Sequence, residues 1–234
     1  MADDNSLILV ADVLGFANIV KNSTDAALDE RIETWVTIVA DAKKESEVDH
    51  TQLISDTLFA SAADSVDGFE SLGNFARLLL NEGIRNSLPI RGAICRGRLK
   101  WAEALVYGPA VIAAHKLETQ QDWIGVACGS NIPYVDKLWG HDNLICYPAP
   151  KTSGPVLLSP TIVWEIPDFK TLTKYLMGGN LTKDGDLIDW AVARKLRNTI
   201  EFRLYCSLAK SRGLDPSKFH GMLPIEAIDL AVRP

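Results

Sequence analysis

The sequence is poor in the residues that mark several protein classes. Its four cysteines, Cys95, Cys128, Cys146 and Cys206, lie far apart. With no Cys-x-x-Cys pair and no Cys/His ligand spacing, they read as reduced core residues rather than zinc ligands or a disulfide framework. No stretch approaches the ~20 apolar residues of a membrane span. Positive charge is scarce: 24 Lys plus Arg against 30 Asp plus Glu give a net charge of -6. That balance argues against broad capture of DNA, RNA or an anionic membrane, so any phosphate chemistry must be local. The chain opens with acids where a secretory leader carries positive charge, and Asp12 breaks the first apolar run, so the expected compartment is the cytoplasm. Internal repeats, heptads and low-complexity tracts are absent. What is present is 47% hydrophobic and 23% charged residues over 234 positions, the balance of an ordinary globular protein.

Leu7 to Val10 is wholly apolar and leads into Ala11-Asp12, a buried-strand signal ending on a carboxylate, with a turn at Gly15. Thr24-Asp25 supplies an N-cap, and Ile32, Trp35, Val36 and Val39 give Asp25 to Lys44 an amphipathic helical pattern. Two short runs, Thr51 to Ile54 and Leu58 to Ala62, predict a hairpin through Ser55-Asp56-Thr57. A second helix follows from Val66 to Ile84, then a strand from Ile90 to Cys95. The order strand, helix, strand, strand, helix, strand is the ferredoxin-like βαββαβ unit. In that unit the first and third strands are antiparallel neighbours, which brings Asp12 and Asp56 together.

Beyond Cys95, Tyr107-Gly108-Pro109 is a turn opening a helix from Ala110 to about Thr119, and a strand at Trp123 to Cys128 is expected to complete the sheet. Prolines gather between Pro148 and Pro167, which reads as a loop-rich connection. Leu187 to Arg212 carries apolar residues at 188, 192, 196, 200 and 204, one stripe of a long helix closed by Gly213. The expected class is therefore α+β, with residues 1–147 a compact unit and 148–234 a Pro-rich connection and C-terminal helical extension packed on it or used for dimerisation.

Two carboxylates at strand ends beside a glycine turn can hold divalent ions, because hard cations prefer oxygen ligands and Mg²⁺ commonly sits on one or two carboxylates plus substrate phosphates. The Gly15-Phe16-Ala17 backbone can offer N–H groups to such phosphates. Arg91, Arg96 and Arg98 alternate along one strand and are expected to share a face suited to an anion.

These residues resemble a known family. Val10-Ala11-Asp12-Val13-Leu14-Gly15-Phe16 is similar to the first metal-binding motif of class III nucleotide cyclases, and Leu53-Ile54-Ser55-Asp56 to their second. Arg91-Gly92-Ala93-Ile94-Cys95-Arg96-Gly97-Arg98 is similar to their arginine and glycine strand, and Tyr107-Gly108-Pro109-Ala110-Val111 with Ala114, Leu117 and Glu118 to their glycine-led helix. The resemblance covers about Leu7 to Cys128. It implies that Asp12, Asp56 and the Val13 carbonyl bind two divalent ions, Mn²⁺ or Mg²⁺, and that Arg98 approaches a nucleoside triphosphate. The implied reaction is attack of the ribose 3′-hydroxyl on the α-phosphate, at sites shared between the subunits of a homodimer.

Four positions depart from the family pattern. Gln52 stands where adenylate cyclases carry a purine-reading Lys, and Leu105 where they carry an Asp. Ile112 and Lys116 stand in place of the Asn and Arg that stabilise the transition state; Lys116 can still neutralise charge, whereas Ile112 cannot hydrogen-bond. With its Tyr-Gly-Pro-Ala and Ala-His-Lys-Leu-Glu phrasing, the chain is similar to the pyrimidine cyclases of Pycsar anti-phage defence. That similarity implies cyclic UMP as product, with cyclic CMP the alternative. A purine cyclase and an inactive binding domain of the same fold stay open as readings.

Overall fold

The computed structural model describes residues 5–103, 105–156, 158–176 and 190–221. Strand β1 (Asn5–Val13) is the hub of the sheet, antiparallel to β3 (Thr57–Ala63) on one side and to β4 (Ile90–Arg98) on the other. Leu7 to Ala11 are fully buried because both faces of β1 are covered, which explains the unbroken apolar run. Gly15 sits in the left-handed region, at φ 82°, and turns the chain into the short helix α1 (Phe16–Asn22). Helix α2 (Asp25–Ser46) starts at the expected cap, where the Thr24 hydroxyl accepts the Ala27 N–H.

Strand β2 (His50–Ile54) pairs with β3 through the tight turn Ser55-Asp56, with Ser55 at φ 59°. Helix α3 (Val66–Arg85), capped by Ser65, leads back to β4. The expected βαββαβ order is present, with α1 as an added helix of about two turns. A small hairpin, β5 (Lys100–Ala102) and β6 (Leu105–Tyr107), precedes α4 (Pro109–Gln120), and β7 (Gly125–Cys128) lies parallel to β4.

The sheet does not end at β7. After the one-turn helix α5 (Val135–Leu138), β8 (Leu144–Pro148) and β9 (Leu158–Ile162) extend it to seven strands in the order β2-β3-β1-β4-β7-β9-β8. The prolines hid these strands. Pro148 closes β8 at the sheet edge, and Pro160, which has no N–H to give, is tolerated in β9 because β7 and β9 share a single Cα pair, Ala127 and Thr161. Helices α6 (Phe169–Leu176) and α7 (Trp190–Ser211) follow.

Two helical faces also differ from the sequence pattern. In α2 the buried arc runs through Trp35, Ile38, Val39 and Ala42, leaving Ile32 and Val36 exposed beside it. In α7 the buried face carries Thr199, Phe202, Tyr205 and Ala209. A stripe advancing by four residues drifts about 40° per step, so the expected series runs obliquely over this face: Leu196 and Leu204 are buried and Ile200 packs against the core, while Val192 is half-buried. Positions 187 to 189 of that expected helix lie outside the described residues.

The sheet separates two cores. Leu7, Leu9, Ala11 and Val13 face a large apolar layer built with α2, α3 and α7, where Trp35, Phe69, Phe75 and Phe202 are buried. Ile8 and Val10 face a much smaller cluster under α4, with Cys95, Leu99, Ala110 and Ala114. Burial pushes the Cys95 thiol up to about 11, as expected for a reduced core cysteine. Among the described residues no helix is long and apolar enough to cross a membrane.

Candidate active site

Asp12 continues the parity of Ile8 and Val10, so it belongs to the α4 side of the sheet at the C-terminal end of β1. Its register partners are Thr57 on β3 and Arg91 on β4, and the Thr57 hydroxyl donates to its Oδ1 at 3.2 Å. Asp56 precedes Thr57 in the hairpin turn. Burial first, then the charges of Asp56 and Glu118, push the Asp12 carboxyl up to about 6, against the opposing effects of Thr57 and Arg91. The two carboxylates therefore sense each other at one end of the sheet.

The two carboxylates suit a divalent cation, which would relieve their repulsion, and the oxygens of Asp12, Asp56 and the Val13 carbonyl are the hard donors that would hold it. Among the described residues no group of three His, Cys, Asp or Glu side chains gathers in a metal-binding arrangement. The Gly15 turn follows two residues after Val13, and Gly15 oxygen accepts from the Asn18 and Ile19 N–H groups. Phe16 is buried and Ala17 exposed, so the turn is anchored on one side and open on the other. A cavity of about 210 Å³ lies between this turn and α7, lined by Leu14, Gly15, Asn18, Ile124, Val192 and Lys195.

The three arginines do not share a face. From 91 to 96 is an odd step, so Arg91 lies on the α4 side with Asp12, whereas Arg96 lies on the other and pairs with Asp64 at 2.7 Å. Arg98 is the register partner of Asn5. It stands seven residues along β4 from Arg91, about 23 Å at the usual strand rise, and so does not reach Asp12 of its own chain. The arginine at the carboxylates is Arg91, whose Nη2 and Nε each lie 2.6 Å from Glu118 Oε1 and whose Nη1 donates to the Gln121 carbonyl at 3.0 Å. The sequence signal for this was strand parity combined with the antiparallel register.

The remaining candidates are spread over the same face. Gln52 is half-buried on β2 opposite Phe59, which is itself opposite Val10. Leu105 is exposed on β6. On α4, Ala114 and Glu118 turn inward, while Ile112, 71% exposed, and Lys116 turn outward one helical turn apart. Lys116 is thus not brought to Asp12 within one chain. His115, also outward, lies 3.7 Å from Glu118 through its Nδ1.

No family model and no curated protein matches the sequence. Solved structures do match. The adenylyl cyclase CyaB from P. aeruginosa aligns with a TM-score of 0.52 and 14% identity over 68% of this chain and 93% of that one. The guanylyl cyclase domain of the RhoGC fusion protein from the aquatic fungus Blastocladiella emersonii gives 0.54 and 12% over 69% and 95%. A bacterial light-regulated adenylyl cyclase gives 0.51 and 13% over 75% and 97%. The chain has the fold of the class III nucleotide cyclases, with α7 as a C-terminal helix.

Proposed function

We propose that the protein is a metal-dependent pyrimidine nucleotide cyclase that converts UTP to 3′,5′-cyclic UMP and pyrophosphate, working as a cytoplasmic homodimer that supplies a second messenger in anti-phage defence. The observation that carries the cyclase reading is the convergence of Asp12 and Asp56 at the end of β1, beside the Gly15 turn, on a cyclase fold. Bound there, two divalent ions would lower the pKa of the attacking hydroxyl and offset the charge of the leaving pyrophosphate.

The chain's own groups have separate tasks in this reading. Asp12, Asp56 and the Val13 carbonyl hold the cations. The backbone of Gly15, Phe16 and Ala17 orients the phosphates, and Arg98, distant from Asp12 of its own chain, approaches them from the partner subunit, while Arg91 stays engaged with Glu118 and the Gln121 carbonyl. The 3′-oxygen bonds to the α-phosphorus as the bond to the β-phosphate oxygen breaks, and the hydroxyl proton passes to solvent. The outward direction of Lys116 fits a site completed across a dimer, where the partner subunit's Lys116 neutralises developing charge.

The pyrimidine assignment rests on Gln52 and Leu105. Replacing a cationic and an anionic reader of adenine by an amide and an apolar side chain removes the groups that a purine site needs. Gln52 can face either uracil or cytosine by turning its amide. The exposed Ile112 favours a second reading, a binding domain without turnover.

One assay separates these readings: incubation with each of the four nucleoside triphosphates and Mn²⁺ or Mg²⁺, with products identified by mass spectrometry. Cyclic UMP as the main product is expected. Cyclic CMP changes only the base, cyclic AMP or cyclic GMP overturns the pyrimidine assignment, and no product under any condition leaves the binding reading.

A further inference from the structure

A run of buried polar contacts connects α7 to the proposed centre. Asn198 Nδ2 donates to the Asp122 carbonyl at 2.7 Å, and the Thr199 hydroxyl accepts the Ile124 N–H at 3.0 Å. The Asp122 side chain, only 2% exposed, pairs with Arg194 and, at 3.0 Å, with Lys195, all from α7. Burial works to raise the Asp122 carboxyl, but the hydrogen bonds and charges of Arg194 and Lys195 outweigh it and hold it below the ordinary range.

The next residue back along the chain, Gln121, is fully buried. Its amide donates to the Gly92 carbonyl at 2.8 Å and to the Leu117 carbonyl at 3.1 Å, and accepts from Trp123 Nε1 at 2.8 Å. Its backbone carbonyl accepts from Arg91, which pairs with the buried Glu118 of α4 and lies directly across the strand from Asp12. The path from α7 to Asp12 thus passes only through Asp122, Gln121 and Arg91. Matched buried polar groups of this kind restrict geometry more than they add net stability, because a displaced partner leaves an unsatisfied charge or dipole.

We propose that Asp122, its carboxylate paired with Arg194 and Lys195 and its carbonyl bonded to Asn198, is a positioning residue of the reaction, with Thr199 fixing Ile124 beside it: α7 sets the placement of the Arg91–Glu118 pair, and with it the approach of α4 to Asp12. This rests on the cyclase reading above. A helix that merely covered the core would need only the apolar contacts of Phe202, Tyr205 and Ala209. The polar set is instead directed at the 121–124 segment, which carries the acceptor for Arg91.

The test compares Asp122→Asn and Thr199→Val with Leu208→Ala, a buried apolar change on the same helix, in the full-length protein well below each melting temperature. The readouts are kcat and KM for the triphosphate that the wild type turns over, together with hydrogen exchange of the β4 amides. The expected result is a kcat lowered tenfold or more with KM within threefold for Asp122→Asn and Thr199→Val, and faster exchange over 91–95. Leu208→Ala should lower the melting temperature but keep kcat within twofold, and Thr199→Ser should restore turnover. Equal kcat in all variants, with only melting temperatures changed, overturns the proposal. If the wild type turns over no triphosphate, the cyclase reading fails; unchanged exchange over 91–95 in Asp122→Asn and Thr199→Val then overturns the coupling separately.

Discussion

The two faces of the sheet have been put to opposite uses. On one, alternate residues of β1 meet a deep apolar layer that includes Trp35, Phe69 and Phe75. On the other, the same strand presents Ile8 and Val10 to a thin cluster under α4 and then Asp12 to Thr57, Arg91 and the charge of Glu118. Since successive side chains of a strand point to opposite sides, a single residue of shift would exchange these environments. Core packing and the candidate site are thereby assigned by parity, which makes them separable by mutation.

The largest effect that would test the separation is on turnover. Asp12→Asn should lower cyclase activity about 10²- to 10³-fold, the scale seen when one electrostatic group of an active site is lost. Thermal unfolding of this variant should be unchanged or slightly raised, because a carboxylate facing Asp56 is removed. Retained activity would dissolve the site assignment. On the opposite face, Phe75→Ala should cost about 3–5 kcal/mol in denaturant unfolding, with kcat of the remaining folded fraction unaltered. A loss of kcat there would show that the two faces are not independent.

A smaller effect concerns pH. The folded chain keeps the Asp12 proton up to about pH 6, whereas an unfolded chain releases it near pH 4. The folded state therefore binds the proton more tightly, and metal-free wild type should gain stability relative to Asp12→Asn as pH falls from 7 to 4. After a discount for partial exposure the gain is on the order of 1–2 kcal/mol. A pH-independent difference between the two proteins in urea titrations would remove the raised carboxyl. Smallest of all, Ile112→Ser on the outer side of α4 should change unfolding free energy by less than about 0.5 kcal/mol. A larger loss that disappears on dilution would place Ile112 in a subunit contact.

Much of the first half of the fold was legible because its signals are local. The Thr24 cap, the tight turn at Ser55-Asp56 and the apolar spacing of Phe69, Leu72, Phe75 and Leu79 each determine an element without outside help. From strand order alone, Asp12 and Asp56 fall at one end of the sheet. β8 and β9 were hidden because proline opposes strand in isolation, and only the short β7–β9 ladder makes Pro160 acceptable. Arg91 was in view but grouped with the wrong neighbours, since counting residues along β4 separates it from Arg96 and Arg98. The partners of Asp122 lie more than seventy residues away on α7, and no spacing rule reaches that far.

That lone Ala127–Thr161 pair makes the boundary between β7 and β9 a seam. Helix α7 is the clamp across it: Asn198 and Thr199 grip the segment ahead of β7 on one bank, while the Tyr205 hydroxyl reaches the Cys146 carbonyl of β8 on the other, at 3.0 Å. The same two banks are laced a second time where the Asp122 N–H meets the Pro150 carbonyl and the Thr152 N–H meets the Gln120 carbonyl, so the seam is fastened by more than α7 alone.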